Sequence, residues 1–211
     1  MKKLTLILVA FALSLSSTFA GGHKYALIIA IGNYNQELTG WYPISADHDV
    51  PLIQKTLQGL GFKDEDITYL KDDQATKEGM MNAFNELLAK VGEGDEVVIH
   101  YSGHGHQIFD DNGDEIDGLD ECLVCYDAPM KMVEGYKGEK HFRDDELGQV
   151  VERFRIKLGK DGHLLLFLDS CHSGTGTRGA AKVRGGAPAL VPEGWHAPSG
   201  APKLDGKVGM G

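Results

Sequence analysis

Four short apolar runs frame this chain: Lys24 to Gly32 (KYALIIAIG), Ile67 to Leu70 (ITYL), Glu96 to Ser102 (EVVIHYS) and His163 to Asp169 (HLLLFLD). Each is apolar on both faces and bounded by Gly or Asp. Such runs suit strands covered on both sides, as in parallel sheets. Amphipathic stretches alternate with them. Val50, Ile53, Leu57 and Leu60 share one helical face, with Asp47 or Asp49 as cap and Gly61 as stop. Met80, Met81, Phe84, Leu87, Leu88 and Val91 share a second, with Thr76 as N-cap. Leu147, Val150, Val151, Phe154 and Leu158 form a third, opened by Asp144 and Asp145. The order β-α-β-α-β-loop-α-β predicts an α/β domain of three layers with a mainly parallel sheet of about four strands. That sheet ends on a strand running straight into a loop, so it reads as unfinished.

The flanks differ from this core. Lys2 and Lys3 precede an apolar run from Leu4 to Leu15, and Thr18 and Ala20 then offer a small-residue cleavage site. This is the pattern of a secretory signal peptide over residues 1–20, too short for a comfortable membrane span. The expectation is an exported protein, periplasmic or secreted, with no membrane contact once the signal is removed. From Gly176 to Gly211 there are 9 Gly and 4 Pro in 36 residues and no apolar period, which reads as a flexible linker or tail. The domain is then expected over residues 23–175. A formal charge of −10 argues against nucleic-acid binding by phosphate neutralisation. Three cysteines cannot build a disulfide framework.

Two strand ends carry the chemistry. The third run leads into Ser102-Gly103-His104-Gly105, and the fourth into Asp169-Ser170-Cys171-His172-Ser173-Gly174. In open α/β sheets the carboxyl ends of the strands form the ligand crevice. A thiol needs a base to attack a carbonyl at neutral pH, and an imidazole can take that proton and later deliver it to a leaving amine. Backbone N–H groups in glycine-flanked turns can hold the oxyanion.

YSGHG after one apolar strand and DSCHSG after the next resemble the metacaspases and their bacterial relatives among the caspase-like cysteine peptidases. The resemblance runs from about Lys24 to Gly174 and takes in KYALIIAIGNY, DGLDECLVCYD and RDDEL. It implies a three-layer caspase-like fold whose final strands are missing here. It implies Cys171 as nucleophile, His104 as general acid/base, and the Gly105 and Cys171 N–H groups as oxyanion hole. It implies cleavage after Arg or Lys, with Asp47, Ser102 and Asp169 in the pocket; two carboxylates there would favour a guanidinium. Calcium is the implied activator, held by Asp120, Asp144 and Asp145, although Arg178 stands where the family places a fourth acidic ligand. No organic cofactor is implied. The implied partners are peptides or proteins with a basic residue before the cut, and a C-terminal small subunit absent from this chain. Arg178, Lys182 and Arg184 are candidate self-cleavage points.

Other readings compete. DDNGDEIDGLDE from Asp110 has EF-hand-like spacing, but Glu115 stands where the turn needs Gly, so an EF-hand is rejected. Cys122 and Cys125 form a CxxC, read as two buried small residues rather than a redox or zinc motif. His100, His104 and His106 could form a zinc face only if the strand continued through Gly103 and Gly105. A noncatalytic binding module, an incomplete subunit and a thiol oxidoreductase remain alternatives to the peptidase.

Overall fold

The computed structural model describes residues 22–170 and 188–199. Its main sheet has four parallel strands: β1 (Lys24–Ala30), β2 (Ile67–Lys71), β3 (Glu96–Ser102) and β7 (His163–Asp169), in the order β2-β1-β3-β7. Alternation along each strand sorts its residues between two faces. Ala26, Ile28 and Ala30 of β1 join Val98 against α2 (Ala46–Gly59), through Val50 and Leu57. Leu27 and Ile29 join Val97, Ile99 and Tyr101 on the opposite face. There they meet Met80, Phe84 and Leu87 of α3 (Lys77–Lys90) and Val150 and Phe154 of α4 (Asp144–Leu158). These are the expected helix, sheet and helix layers. A further short helix, α1 (Gln36–Thr39), follows β1.

Thr76 caps α3 as expected, its side chain accepting from the Gly79 N–H at 3.1 Å. The cap of α2 differs from expectation. Ser45 occupies the N-cap position, while Asp47 and Asp49 lie within the first turn, where a carboxylate still favours the positive helix end.

The stretch expected as a loop between β3 and α4 holds a second sheet. Strands β4 (Gly105–Phe109), β5 (Leu119–Val124) and β6 (His141–Arg143) pair antiparallel in that order. The two sheets meet at the turn after Ser102, where only Gly103 and His104 separate the end of β3 from the start of β4.

Strand β7 is the most open of the main sheet. Its residues are half-buried or exposed, with Leu168 at 43%. Among the described residues no strand pairs with its outer edge.

Candidate active site

Parallel pairing brings the ends of β1, β3 and β7 to one edge of the main sheet. The register sets Ala30 beside Ser102, and Ser102 beside Asp169. The Gly103 N–H donates to the Asp169 carbonyl at 3.4 Å. The segment leading to Cys171 therefore ends alongside the turn that carries His104; Cys171 itself lies outside the described residues.

His104 is fully buried and fixed through its backbone. Its N–H donates to the Tyr34 hydroxyl at 3.0 Å. Its carbonyl accepts from the Val124 N–H at 3.0 Å and from the Tyr101 hydroxyl at 2.8 Å. Tyr34 in turn donates to the Val124 carbonyl at 2.9 Å. Burial pushes both phenols up, so they remain neutral hydrogen-bonding groups. A Cβ on Gly103 would overlap the Tyr101 and Tyr34 hydroxyls, so this close approach demands glycine.

The His104 imidazole lies in an aromatic box. Trp41 stacks on it at 4.7 Å, Tyr34 lies at 4.8 Å, and Tyr42 meets it edge-on at 4.8 Å. Nε2 is 2.9 Å from the Tyr42 carbonyl. A carbonyl can only accept, so Nε2 carries the proton and Nδ1 holds the lone pair. This contact sets the tautomer of the neutral ring. None of the three aromatic partners was expected from the sequence; the only hint was GNYN and WYP following the first strand.

Ser102 is fully buried at the end of β3, and Asp169 is half-buried at the end of β7. Gly105 opens β4 opposite Leu123. Asp47 is exposed, yet its Oδ1 lies 3.0 Å from where a Cβ on Gly32 would stand. That places its carboxylate at the end of β1, on the same sheet edge as Ser102 and Asp169. The β1 turn is held by Asp72, which accepts from the Gly32 N–H at 2.9 Å and the Asn33 N–H at 2.8 Å.

The acidic residues gather on the small sheet and its hairpin. Asp120 is buried and ion-paired with the buried Arg143, which also donates to the Phe109 carbonyl at 2.8 Å. Burial pushes Asp120 up to about 6, against the pull of Arg143. Burial and then neighbouring carboxylates, including Asp114, also raise Asp144 and Asp145. Burial pushes Asp110 upward, but backbone donors from Gly113, Glu115 and Asn112 outweigh it and hold the group low.

Asp120, Asp144 and Asp145 thus share one acidic neighbourhood. Among the described residues, however, the trio able to hold one cation together is Asp110, Asp114 and Asp120, with ligand atoms within 4.8 Å of one another. An oxygen-only donor set of this kind suits a hard cation such as calcium. Asp110 and Asp114 were visible in the sequence as part of DDNGDE, but their approach to Asp120 depends on the hairpin.

Cys122 on β5 and Cys125 just beyond it are buried free thiols, pushed up by burial. Such thiols stay protonated and poorly reactive. His100 lies in β3 and His106 in β4, with His104 in the turn between them.

A family model for the metacaspase, peptidase C14 domain matches residues 24–178. Metacaspase-1 of Mycosarcoma maydis is 35% identical over 162 residues, covering 73% of this chain and 36% of the relative. Metacaspase III c of Phaeodactylum tricornutum is 34% identical over 165 residues, covering 74% and 44%. The chain therefore spans less than half the length of these relatives. The crystal structure of protein GSU0716 from Geobacter sulfurreducens superposes with a TM-score of 0.55 at 25% identity, over 72% of this chain and 51% of that one.

Proposed function

Because the chain belongs to the metacaspase family, we propose that it is a cysteine endopeptidase cutting after Arg or Lys through His104 and Cys171. The observation that carries this reading is the buried His104 imidazole, with Nε2–H directed at the Tyr42 carbonyl, beside the strand end that leads to Cys171. Nδ1 takes the thiol proton as sulfur attacks the substrate carbonyl. The acyl-enzyme forms as His104 returns that proton to the leaving amine, and water then releases the acid. The Trp41 stack holds the ring in place through both transfers. The Gly105 and Cys171 N–H groups are the proposed oxyanion donors.

Asp47, Ser102 and Asp169 converge on the sheet edge from which a basic side chain would be selected. Calcium is the proposed activator, held at the acidic hairpin by Asp110, Asp114 and Asp120, with Asp144 and Asp145 in the first turn of α4 adding negative charge beside it. A bound cation would offset the mutual repulsion of these carboxylates and so order the hairpin. Export with removal of residues 1–20 completes the proposal; N-terminal sequencing that begins at Gly21 is the check.

The chain from Gly21 is to be assayed on paired fluorogenic peptides ending in Arg or Asp, with calcium or with chelator. Turnover of the Arg peptide, lost in Cys171→Ala and lost with chelator, is the expected result. Asp-selective turnover, or turnover that survives Cys171→Ala, would refute the reading. Cuts after Arg178, Lys182 or Arg184 should appear on a gel under the same activating conditions. A second reading, a subunit that needs another chain, is favoured by the open edge of β7. It predicts that turnover appears only when the downstream part of a longer product is supplied.

A further inference from the structure

Beyond Cys171 the sequence is rich in Gly and Pro, yet Leu190 in that stretch is only 3% exposed. Its backbone runs parallel to β4 and bridges Ile108. The Leu190 N–H donates to the Gln107 carbonyl at 2.8 Å, and the Phe109 N–H donates to the Leu190 carbonyl at 3.0 Å. The Leu190 side chain completes a small apolar cluster with Ile108, Cys122 and Tyr136.

The contact extends in both directions. On one side the Pro188 carbonyl lies 2.9 Å from His106 Nε2. His106 meets Trp41 edge-on at 5.0 Å, and Trp41 carries the His104 stack. On the other side the Trp195 N–H donates to the Pro192 carbonyl at 3.1 Å, closing a turn. Trp195 and Pro198 then come down on Gly118 of the acidic hairpin, where an added Cβ would stand 2.7 Å from Pro198.

Strand β4 is the edge of its sheet and offers unpaired backbone groups that an extended segment can take. Pro188 and Pro192 flank Leu190, and their fixed φ favours the extended form before docking. Nothing in these contacts requires the covalent link back to β7.

We propose that residues 188–199 are a strap docked on β4 by strand addition, and that this contact keeps the C-terminal part attached when the chain is cut between Cys171 and Pro188. The proposal rests on the docking geometry and is independent of the peptidase reading. If it holds, cutting in that interval converts the chain into a non-covalent pair rather than releasing the tail.

The test uses the full chain as Cys171→Ala, which excludes self-cutting, with a recognition sequence for a site-specific protease inserted between Gly185 and Gly186. After cleavage the two pieces should co-elute in size-exclusion chromatography and separate only in denaturant. Leu190→Asp places a charge in the apolar cluster and should weaken retention by about a hundredfold or more. Leu190→Pro stays apolar but loses the donor to Gln107, and should weaken it by about tenfold. In the uncut chain the Leu190 and Phe109 amides should resist hydrogen exchange, and Leu190→Asp should remove the Phe109 protection, whereas Leu190→Pro, which keeps the carbonyl that Phe109 donates to, should only reduce it. Separation of the unsubstituted pieces without denaturant overturns the proposal. So does undiminished retention in both Leu190 variants.

Discussion

The two sheets bury their residues by opposite means. The parallel sheet is filled mainly by aliphatic and aromatic side chains on both faces, with an ion pair at the rim, where Lys24 meets Glu96 at 2.7 Å. The small antiparallel sheet gives Leu123, Val124 and Phe142 to the main core, but it also buries Asp120, Arg143, His106 and His141 beside a small apolar cluster of its own. Area burial is forgiving of detail, whereas a buried charge is tolerable only with its partner in place. The parallel sheet is therefore the stable platform, and the small sheet is the part whose order depends on particular pairs. The candidate base sits at the turn that joins them.

Arg143→Met gives the largest expected effect on stability. It leaves Asp120 buried without its cation, at a cost of about 3–5 kcal/mol. Replacing both residues, as Asp120→Leu with Arg143→Met, should recover most of that loss in urea denaturation at pH 7. The single-variant loss should shrink as pH falls towards 6, because without the pull of Arg143 the buried Asp120 takes a proton more readily than it does in the parent. A double variant no more stable than the single would mean that the small sheet is not organised around this pair.

Truncation of an apolar residue should act differently in the two sheets. Ile99→Ala in β3 opens a cavity in the main core and should cost about 2–5 kcal/mol of global stability. Ile108→Ala removes a side chain from the small cluster under the strap. Its first effect should be loss of amide protection at Leu190 and Phe109, with β1 and β3 amides unchanged. Equal loss of protection in both sheets would make the molecule one cooperative unit and dissolve the contrast.

The same contrast explains what could be read from the sequence. KYALIIAIG, EVVIHYS and HLLLFLD announce strands because both faces are apolar, and the structure places strands there. GHQIF has two apolar residues in five, and in LDECLV the apolar Cys122–Val124 follows a long acidic run, so β4 and β5 read as loop. Their burial is supported by Arg143, which joins β6 to β5 across 23 residues of chain. The positions of His104, Ser102 and Asp169 followed from being at strand ends. The aromatic box did not, because Trp41 and Tyr42 reach His104 from a loop more than 60 residues away in sequence. The acidic trio was half visible: Asp110 and Asp114 are close in sequence, but Asp120 joins them only through the hairpin.

A pH series sharpens the contrast with a smaller effect. His141 is fully buried, with Nδ1 2.8 Å from the Tyr136 hydroxyl, and Nε2 has no hydrogen-bond partner among the described residues. Burial, then the charges of His106, Arg143 and Lys77, holds its pKa down to about 3, against 6.5 ordinarily. Above pH 6.5 folded and unfolded forms are both neutral. Below it the unfolded chain takes a proton that the folded chain refuses, so stability is lost as pH falls towards 3. One such group contributes a slope of about 1.4 kcal/mol per pH unit. The raised carboxylates, Asp120 among them, work in the opposite sense, so the measurement is the difference between the parent and His141→Phe. That difference should slope between pH 6 and pH 4; a flat difference would show that His141 is not held neutral by the small sheet.

The smallest effect is a control on the whole comparison. Helix caps act within one turn, so they should be indifferent to which sheet their helix serves. Thr76 caps α3 by accepting from the Gly79 N–H, and Glu146 serves α4 by accepting from the Arg143 N–H at 3.0 Å. Thr76→Ala should cost about 1 kcal/mol, and Thr76→Ser almost nothing. Glu146→Gln keeps an acceptor for Arg143 and gives up only the partly exposed ion pair with Lys77 at 2.7 Å, which should cost well under 1 kcal/mol. A much larger loss at Glu146 than at Thr76 would place the ion pair and the cap inside the charge network of the small sheet. The boundary between the two regions would then lie within α4 rather than at the turn after Ser102.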